Sequence, residues 1–385
     1  MTEHILVLGA GYAGSMVIQT LEEQLRDVDA QLTWISKHDY HLMLHEIHRL
    51  IRNPGLRDIL TIPVEEIKRQ GTPFEQQTVE KIRGKERIVE FTDGTTMEFD
   101  YVVDCLGSQT AYYDIDGLRE HALTLKSLDD ALAIHSETTG AAAAASLDEP
   151  ATVVVGGAGL SGIEGAGELA EFRDQRNLPL DVRLVEAKDE IFPGQDHQFQ
   201  GALRQQLVDH EINISTGDPI VEVDDESVHF NSGRSADYDV LVWTGGVTGH
   251  RELDDPEVEL ERGRTKVDDT LQSADERIFV VGDSAIVELA EAPPPPTAQA
   301  AWQAAEVAAE NVIRTIRGQS LRHWTYEDMG TVVSIGDDAI AHEIKFVPVN
   351  TFDTAVASYL KRAVTTRWVN KVSSRRRAAR TWQAI

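Results

Sequence analysis

Residues 5–8 and 152–155 are short, largely apolar runs, each followed by a glycine-rich turn and then by a helical pattern of apolar positions. Such runs, bounded by turn residues, predict buried strands of a parallel sheet. Similar runs end in glycine at 101–107 (YVVDCLG) and 239–246 (DVLVWTGG), and a later one, RIFVVGDSA, ends at Asp283. Four prolines at 293–296 precede Thr297 and an alanine-rich stretch that stops at Gly318. Proline cannot continue a helix but sets its entry, and threonine is a good N-cap, so a helix is predicted from Ala298. Near the end of the chain Phe352, Val356, Leu360, Val364, Trp368 and Val372 recur every four positions, which predicts an amphipathic helix with one apolar stripe. At 385 residues the chain is longer than one hydrophobic core usually supports, so two or three lobes are expected.

The glycine turns carry the first chemistry. They read Gly9-x-Gly11-x-x-Gly14 and Gly157-x-Gly159-x-x-Gly162, each between a strand and a helix. In such a turn the first glycine bends the chain and the second lets the backbone approach a pyrophosphate. The third lets the helix pack on the strand, and the phosphate rests on the helix N-terminus. Two dinucleotide-binding units are therefore expected in an α/β fold. The strand after the second turn, VRLVEA, ends at Glu186, placed to accept hydrogen bonds from a ribose and to repel a 2′-phosphate, which favours NADH over NADPH. A plain strand-end charge is the alternative. In the first unit Ser36, followed by Lys37, stands where the acid is expected and offers the ribose an uncharged hydrogen bond. Gly107 and Gly245 end strands that close over a bound dinucleotide, and Asp283 is placed to accept from a flavin's ribityl hydroxyl unless it merely caps the next turn.

A formal charge of −29 changes the picture of the surface. It excludes nucleic-acid binding as a main role, because phosphate is repelled, and it suits a protein kept soluble in concentrated salt, hence a halophilic host. Residues 351–385 reverse the sign, with eight Lys/Arg against Asp353 alone, a +7 tail on a −36 body. Cys105 is the single cysteine, so neither an intrachain disulfide nor a CxxC redox pair is available. The opening strand predicts no signal peptide, and no apolar run is long enough to span a membrane. His41, His45 and His48 fall at helical spacing without a supporting carboxylate pattern. They are expected to line a wet cleft or a surface face, and no metal is expected.

Paired glycine motifs with a late VVGD resemble the flavoproteins with two dinucleotide-binding domains. Several branches of that superfamily need a cysteine pair, which this chain lacks. PPTAQAAWQ resembles the Ala-Gln-x-x-x-Gln signature of the type II NADH:quinone dehydrogenases. DYHLMLHEIH is similar to their Asn-Tyr-His-Leu-Phe segment, although Asp39 and Met43 differ. GLSGIEGAGEL is similar to their Gly-x-Thr-Gly-Val-Glu stretch, and YEDMGTVVSIGDDAIA resembles the start of their C-terminal domain.

The resemblance implies FAD held by residues 1–112 and 250–325, NADH by an inserted 113–249, and a small C-terminal region at 326–385. It also implies that Gln299 and Gln303 line a quinone pocket beside the flavin, near Ala298. Glu164 then serves the nicotinamide or a proton, although a first-turn helix acid needs no such role. A quinone lies in the bilayer, so residues 352–385 are expected to form an interfacial helix on the inner face of the cell membrane, with Trp368 at headgroup depth. Docking on its own core or on a homodimer partner is the alternative. Two other readings stand beside this one. The first is an NADH-dependent ferredoxin or rubredoxin reductase, and the second is a redox-sensing, partner-binding flavoprotein similar to apoptosis-inducing factor.

Overall fold

In the computed structural model the chain builds two five-stranded parallel sheets, and the structure describes residues 2–250, 259–289, 293–353 and 355–385. The first sheet runs Ile278–Val280, Tyr101–Asp104, Glu3–Leu8, Ala30–Ser36, Phe74–Gln76. The second runs Leu123–Thr124, Val240–Trp243, Ala151–Gly156, Leu180–Glu186, Asn213–Thr216. In both, the strand that leads into a glycine turn is central and covered on both faces, which is why it reads as an unbroken apolar run. The second sheet lies wholly between Leu123 and Trp243, and Ile278–Val280 returns to the first. The return crossing expected at 249–250 leads into 251–258, outside the described residues.

Six helices position the site residues: α1 (Tyr12–Gln24), α2 (Leu128–Ala144), α3 (Leu160–Arg176), α4 (Ala298–Ile316), α5 (Ala355–Val372) and α6 (Arg375–Ala384). α1 and α3 start directly after Gly11 and Gly159, and neither N-terminus is capped by a side chain. Their first N–H groups are thus left for a ligand. α4 begins as predicted, with the Thr297 hydroxyl accepting from Ala300 N at 3.2 Å. Its buried face is mostly alanine and lies along α1. Small side chains there let the two helices approach closely.

The C-terminal region opens with an antiparallel hairpin, Thr331–Ile335 with Asp338–His342, seated on α3. A Cβ on Gly167 would lie 2.7 Å from Ile335 Cα, so only glycine admits this approach. α5 packs on the hairpin and α6 folds back on α5.

Here the structure corrects the sequence reading. The buried face of α5 is Ala357, Lys361, Thr365, Trp368, Val369 and Val372, while Val356 and Val364 of the expected stripe are 61% and 52% exposed. A period of four advances about 40° per step around a helix of 3.6 residues per turn, so six positions sweep about 200° and cannot share one face. Trp368 is therefore interior and not at headgroup depth. Three of the eight tail cations also turn inward or onto the body. Lys361 is buried, Lys371 pairs with Glu306, and Arg377 grips Glu66 at 2.7 Å together with the Asp58 and Thr61 carbonyls.

Candidate active site

The two glycine turns have the same geometry. Gly9 and Gly157 lie at φ +100° and +97°, in the left-handed region that favours glycine. A Cβ on Gly14 or Gly162 would fall 1.9 or 1.8 Å from the carbonyl oxygen of Gly9 or Gly157. A Cβ on Gly11 or Gly159 would meet nothing within 4 Å. Turn, close packing and an open approach to the backbone thus fall to the three glycines as expected, and both cradles fit a pyrophosphate.

Around the second cradle Glu186 accepts from Ala158 N at 2.8 Å and from Lys188 N at 2.9 Å, so its carboxylate also braces the turn. Gly245 closes against the same turn, its Cα 2.7 Å from where a Gly157 Cβ would sit. Around the first cradle Ser36 is buried at the corresponding strand end, whereas Lys37 is exposed. Gly107 N donates to Ser284 Oγ at 2.7 Å. Asp283 does not cap the turn. It accepts from Ser108 Oγ at 2.8 Å and faces Lys126 Nζ at 3.8 Å, with Lys126 donating to Ser108 at 3.0 Å. Lys126 was not anticipated. It precedes the N-cap of α2 and reaches from the second unit to the first, and burial lowers its pKa despite Asp283.

Asp104 and Cys105 lie under the Gly9 turn, both buried. Burial pushes the Cys105 thiol well up, which leaves it inert. Burial also raises Asp104 to about 6, against hydrogen bonds from Leu106 N and Ser284. A carboxyl raised on folding adds stability at low pH that is lost as pH climbs through about 6. Asp104→Asn keeps the acceptor for Leu106 N and removes the charge. It is expected to raise stability at pH 7.5 by up to about 3 kcal/mol for a two-unit shift, seen as a higher Tm, and to leave the Tm unchanged at pH 4. Equal shifts at both pH values in thermal melts would contradict this assignment.

The three histidines depart from expectation. His41 and His48 are buried and His45 is partly covered, each lowered to about 4 by burial. His41 Nδ1 faces the Ala10 carbonyl at 3.0 Å and its Nε2 accepts from Trp368 Nε1 at 2.9 Å, which fixes the neutral Nδ1–H tautomer. His48 lies 3.0 Å from Ser334 Oγ and 3.4 Å from Glu164. His45 lies between the Tyr12 hydroxyl and Thr365 Oγ1.

Glu164 is inside as well, not a solvated first-turn acid: Lys361 Nζ donates to it at 2.5 Å, and Ser334 donates through both N and Oγ. Burial alone would raise its pKa, but Lys361 and His48 outweigh burial and hold it low. Glu46 is likewise kept ionised against burial, chiefly by Arg49 and then Lys361. The helical spacing of the histidines does not correspond to a helix: His41 lies on the short strand Tyr40–Leu42, His45 in a single turn at Leu44–Glu46, and His48 just before the turn Arg49–Arg52. Their covering by α5 was not legible in the sequence, because a face carrying Lys361 and Thr365 gives no apolar signal.

Gln299 and Gln303 share one face of the first turns of α4 as predicted, and both hold the 326–328 segment. Gln303 donates to the Glu327 carbonyl at 2.9 Å and accepts from Glu327 N at 3.1 Å. Gln299 donates to Tyr326 OH at 3.0 Å and to the Glu327 carbonyl at 3.2 Å. Its carbonyl oxygen has no hydrogen-bond partner among the described residues.

The sequence pattern of the pyridine nucleotide-disulphide oxidoreductase family matches residues 3–305. A type II NADH:quinone oxidoreductase of Staphylococcus aureus (strain MSSA476) is 31% identical over 401 residues, covering 96% of this chain and 95% of the relative. The chain belongs to the type II NADH:quinone oxidoreductase family. This family member is an NADH-dependent flavoprotein oxidoreductase with FAD and NADH as cofactors. NDH2 of Plasmodium falciparum, solved in complex with NADH, shares its fold at a TM-score of 0.85 and 17% identity, covering 99% of this chain and 98% of that one. The sulfide:quinone oxidoreductase of Aquifex aeolicus does so at 0.81 and 18%, covering 96% and 91%. No helix of this NADH:quinone oxidoreductase family member is long and apolar enough, among the described residues, to cross a membrane.

Proposed function

We propose that the enzyme passes electrons from NADH through FAD to a membrane quinone, without moving protons across the bilayer, with FAD on the first cradle and NADH on the second. When bound, the flavin supplies two-electron chemistry between a hydride donor and a quinone. The chain's own residues bind, orient and hold protons. Asp283 and Gly107 serve the first cradle, and Glu186 the ribose end of the second. Gln303 fixes the 326–328 segment, and Gln299 keeps an acceptor for a quinone hydroxyl.

The observation that carries the reading is the buried Glu164–Lys361–His48 cluster, an acid–base network in a protein whose lone cysteine is inert. A quinone reduced by two electrons needs two protons, and a buried acid–base pair is a means of providing them. Approach to the bilayer from the cytoplasmic side falls to the outer face of the C-terminal region. There Phe346, Val349, Val356 and Tyr359 are exposed, and Arg375 and Arg376 face solvent. The deciding assay is NADH oxidation by the yellow protein in high salt, with and without a short-chain quinone. Rapid turnover only with the quinone supports the reading; turnover only with a ferredoxin or rubredoxin refutes it.

Cofactor preference is a separate expectation. The Glu186 carboxylate repels a 2′-phosphate and also holds Ala158 N. A charged hydrogen bond is worth roughly 1.5–3 kcal/mol, so Glu186→Ala should lower kcat/KM for NADH at least tenfold and narrow the NADH/NADPH ratio. An unchanged ratio would remove Glu186 from cofactor selection.

A further inference from the structure

His45 lies in a directed chain of hydrogen bonds that the Glu164 cluster does not use. Thr365 has one hydroxyl hydrogen, and its oxygen sits 2.6 Å from the Glu46 carboxylate, the strongest acceptor in reach. That hydrogen therefore points to Glu46, and Thr365 Oγ1 accepts from His45 Nε2 at 2.9 Å. With its hydrogen on Nε2, neutral His45 presents a lone pair at Nδ1, and the Tyr12 hydroxyl donates to it. Tyr12 is the first residue of α1, directly after Gly11 of the first cradle. Its ring is fixed edge-on to His41 at 4.8 Å and against Trp368 at 5.0 Å. Hydroxyl, imidazole and carboxylate thus stand in sequence, with the Glu46 carboxylate 3.5 Å from His45 Nε2 and locked in the ionised form by Arg49.

We propose that Tyr12, His45 and Glu46 form a proton relay, with Tyr12 donating one proton to the electron acceptor at the first cradle and His45 reloading it. Neutral His45 takes the Tyr12 hydrogen as a hydrogen bond, so to any other neighbour the phenol offers only lone pairs. Once His45 takes up a proton from solvent, both its nitrogens donate. Nδ1–H then points at the Tyr12 oxygen and frees the Tyr12 O–H to turn toward the acceptor. As the acceptor oxygen gains its electrons from NADH through the flavin, the Tyr12 O–H bond breaks and an O–H bond forms on the acceptor. The Nδ1 proton moves to the Tyr12 oxygen, and His45 returns to neutral.

The imidazole is 23% exposed, enough for solvent to reload it. Burial holds it neutral at rest, and Glu46, the strongest of the charges around it, favours the loaded form. Tyr12 on α1, Glu164 on α3, Lys361 on α5, and His41 and Arg49 on its own segment complete the titratable and charged groups that face it.

This role rests on the quinone reading. Its test is Tyr12→Phe, which keeps the ring packing, with His45→Gln as a second variant, both made in the full FAD-loaded chain. ¹⁵N-histidine NMR should show wild-type His45 as the Nε2–H tautomer, with its Nδ1 resonance losing the hydrogen-bonded shift in Tyr12→Phe. In stopped flow, flavin reduction by NADH should stay within about twofold of wild type. Reoxidation by a short-chain quinone should slow on the order of 100-fold, the scale of general acid catalysis, with its pH profile flattened in both variants. An Nδ1–H tautomer, an unchanged reoxidation rate and pH profile, or equal slowing of both half-reactions overturns the relay. Wild-type protein that is reduced by NADH yet reoxidised by no quinone overturns the functional reading itself.

Discussion

Removing residues 352–385 is expected to give an insoluble chain that retains no flavin. Trp368, Val369 and Val372 of α5, with Ala378 and Ile385 beyond it, belong to the same hydrophobic core as the central strand Glu3–Leu8. Truncating one buried tryptophan costs about 3–5 kcal/mol, and a large buried aliphatic residue costs about 2–5. A few such losses exceed the roughly 5–15 kcal/mol by which a domain is stable. The deletion also bares Glu46, His41 and Glu164, and it takes Lys361 from Glu164. Expression of residues 1–351, scored by soluble yield and flavin absorbance, checks this. A soluble yellow product would mean that α5 is an appendage after all. Attachment to lipid is tested from the outer face instead. Val356→Glu with Val364→Glu should keep the Tm and reduce co-sedimentation with liposomes in high salt, whereas Trp368→Glu should unfold the protein.

Lys361→Met is expected to have the next largest effect. Breaking a buried ion pair by removing one partner costs about 3–5 kcal/mol, because the remaining charge stays uncompensated. Glu164 escapes part of that cost by taking a proton, since without Lys361 burial dominates and raises its pKa. Thermal stability should therefore fall most above neutral pH, where that proton must be given up. Adding Glu164→Gln removes the stranded charge and should recover most of the stability. Quinone reduction should remain depressed about 100-fold in both single and double variants, on the general-acid scale, with flavin reduction by NADH little changed. If flavin reduction falls while reoxidation is spared, Glu164 serves the nicotinamide and not a proton.

Much of the molecule was legible in the sequence because its signals are local. A glycine that must adopt positive φ, a third glycine on which a helix must sit, a strand buried on both faces and a threonine N-cap each depend on neighbours a few residues away. Gly9, Gly14, Gly157, Gly162 and Thr297 accordingly stand as expected, as do the strands they serve. Glu186 stands at the end of the strand after the second turn, the position that the local pattern gives it.

Only the tertiary structure decided what joins Glu164 to Lys361, 197 residues apart, or His45 to Thr365, 320 apart. It also brought Lys126 to Asp283 and Arg377 to Glu66. A polar residue covered by another polar residue leaves no periodic trace, because its burial is balanced by the partner's charge or hydrogen bond and not by hydrophobicity. The face of α5 was misjudged for that reason. Valines that a pattern marks as buried lie outside, and a lysine and a threonine lie inside, because a carboxylate and an imidazole on distant segments wait there to receive them.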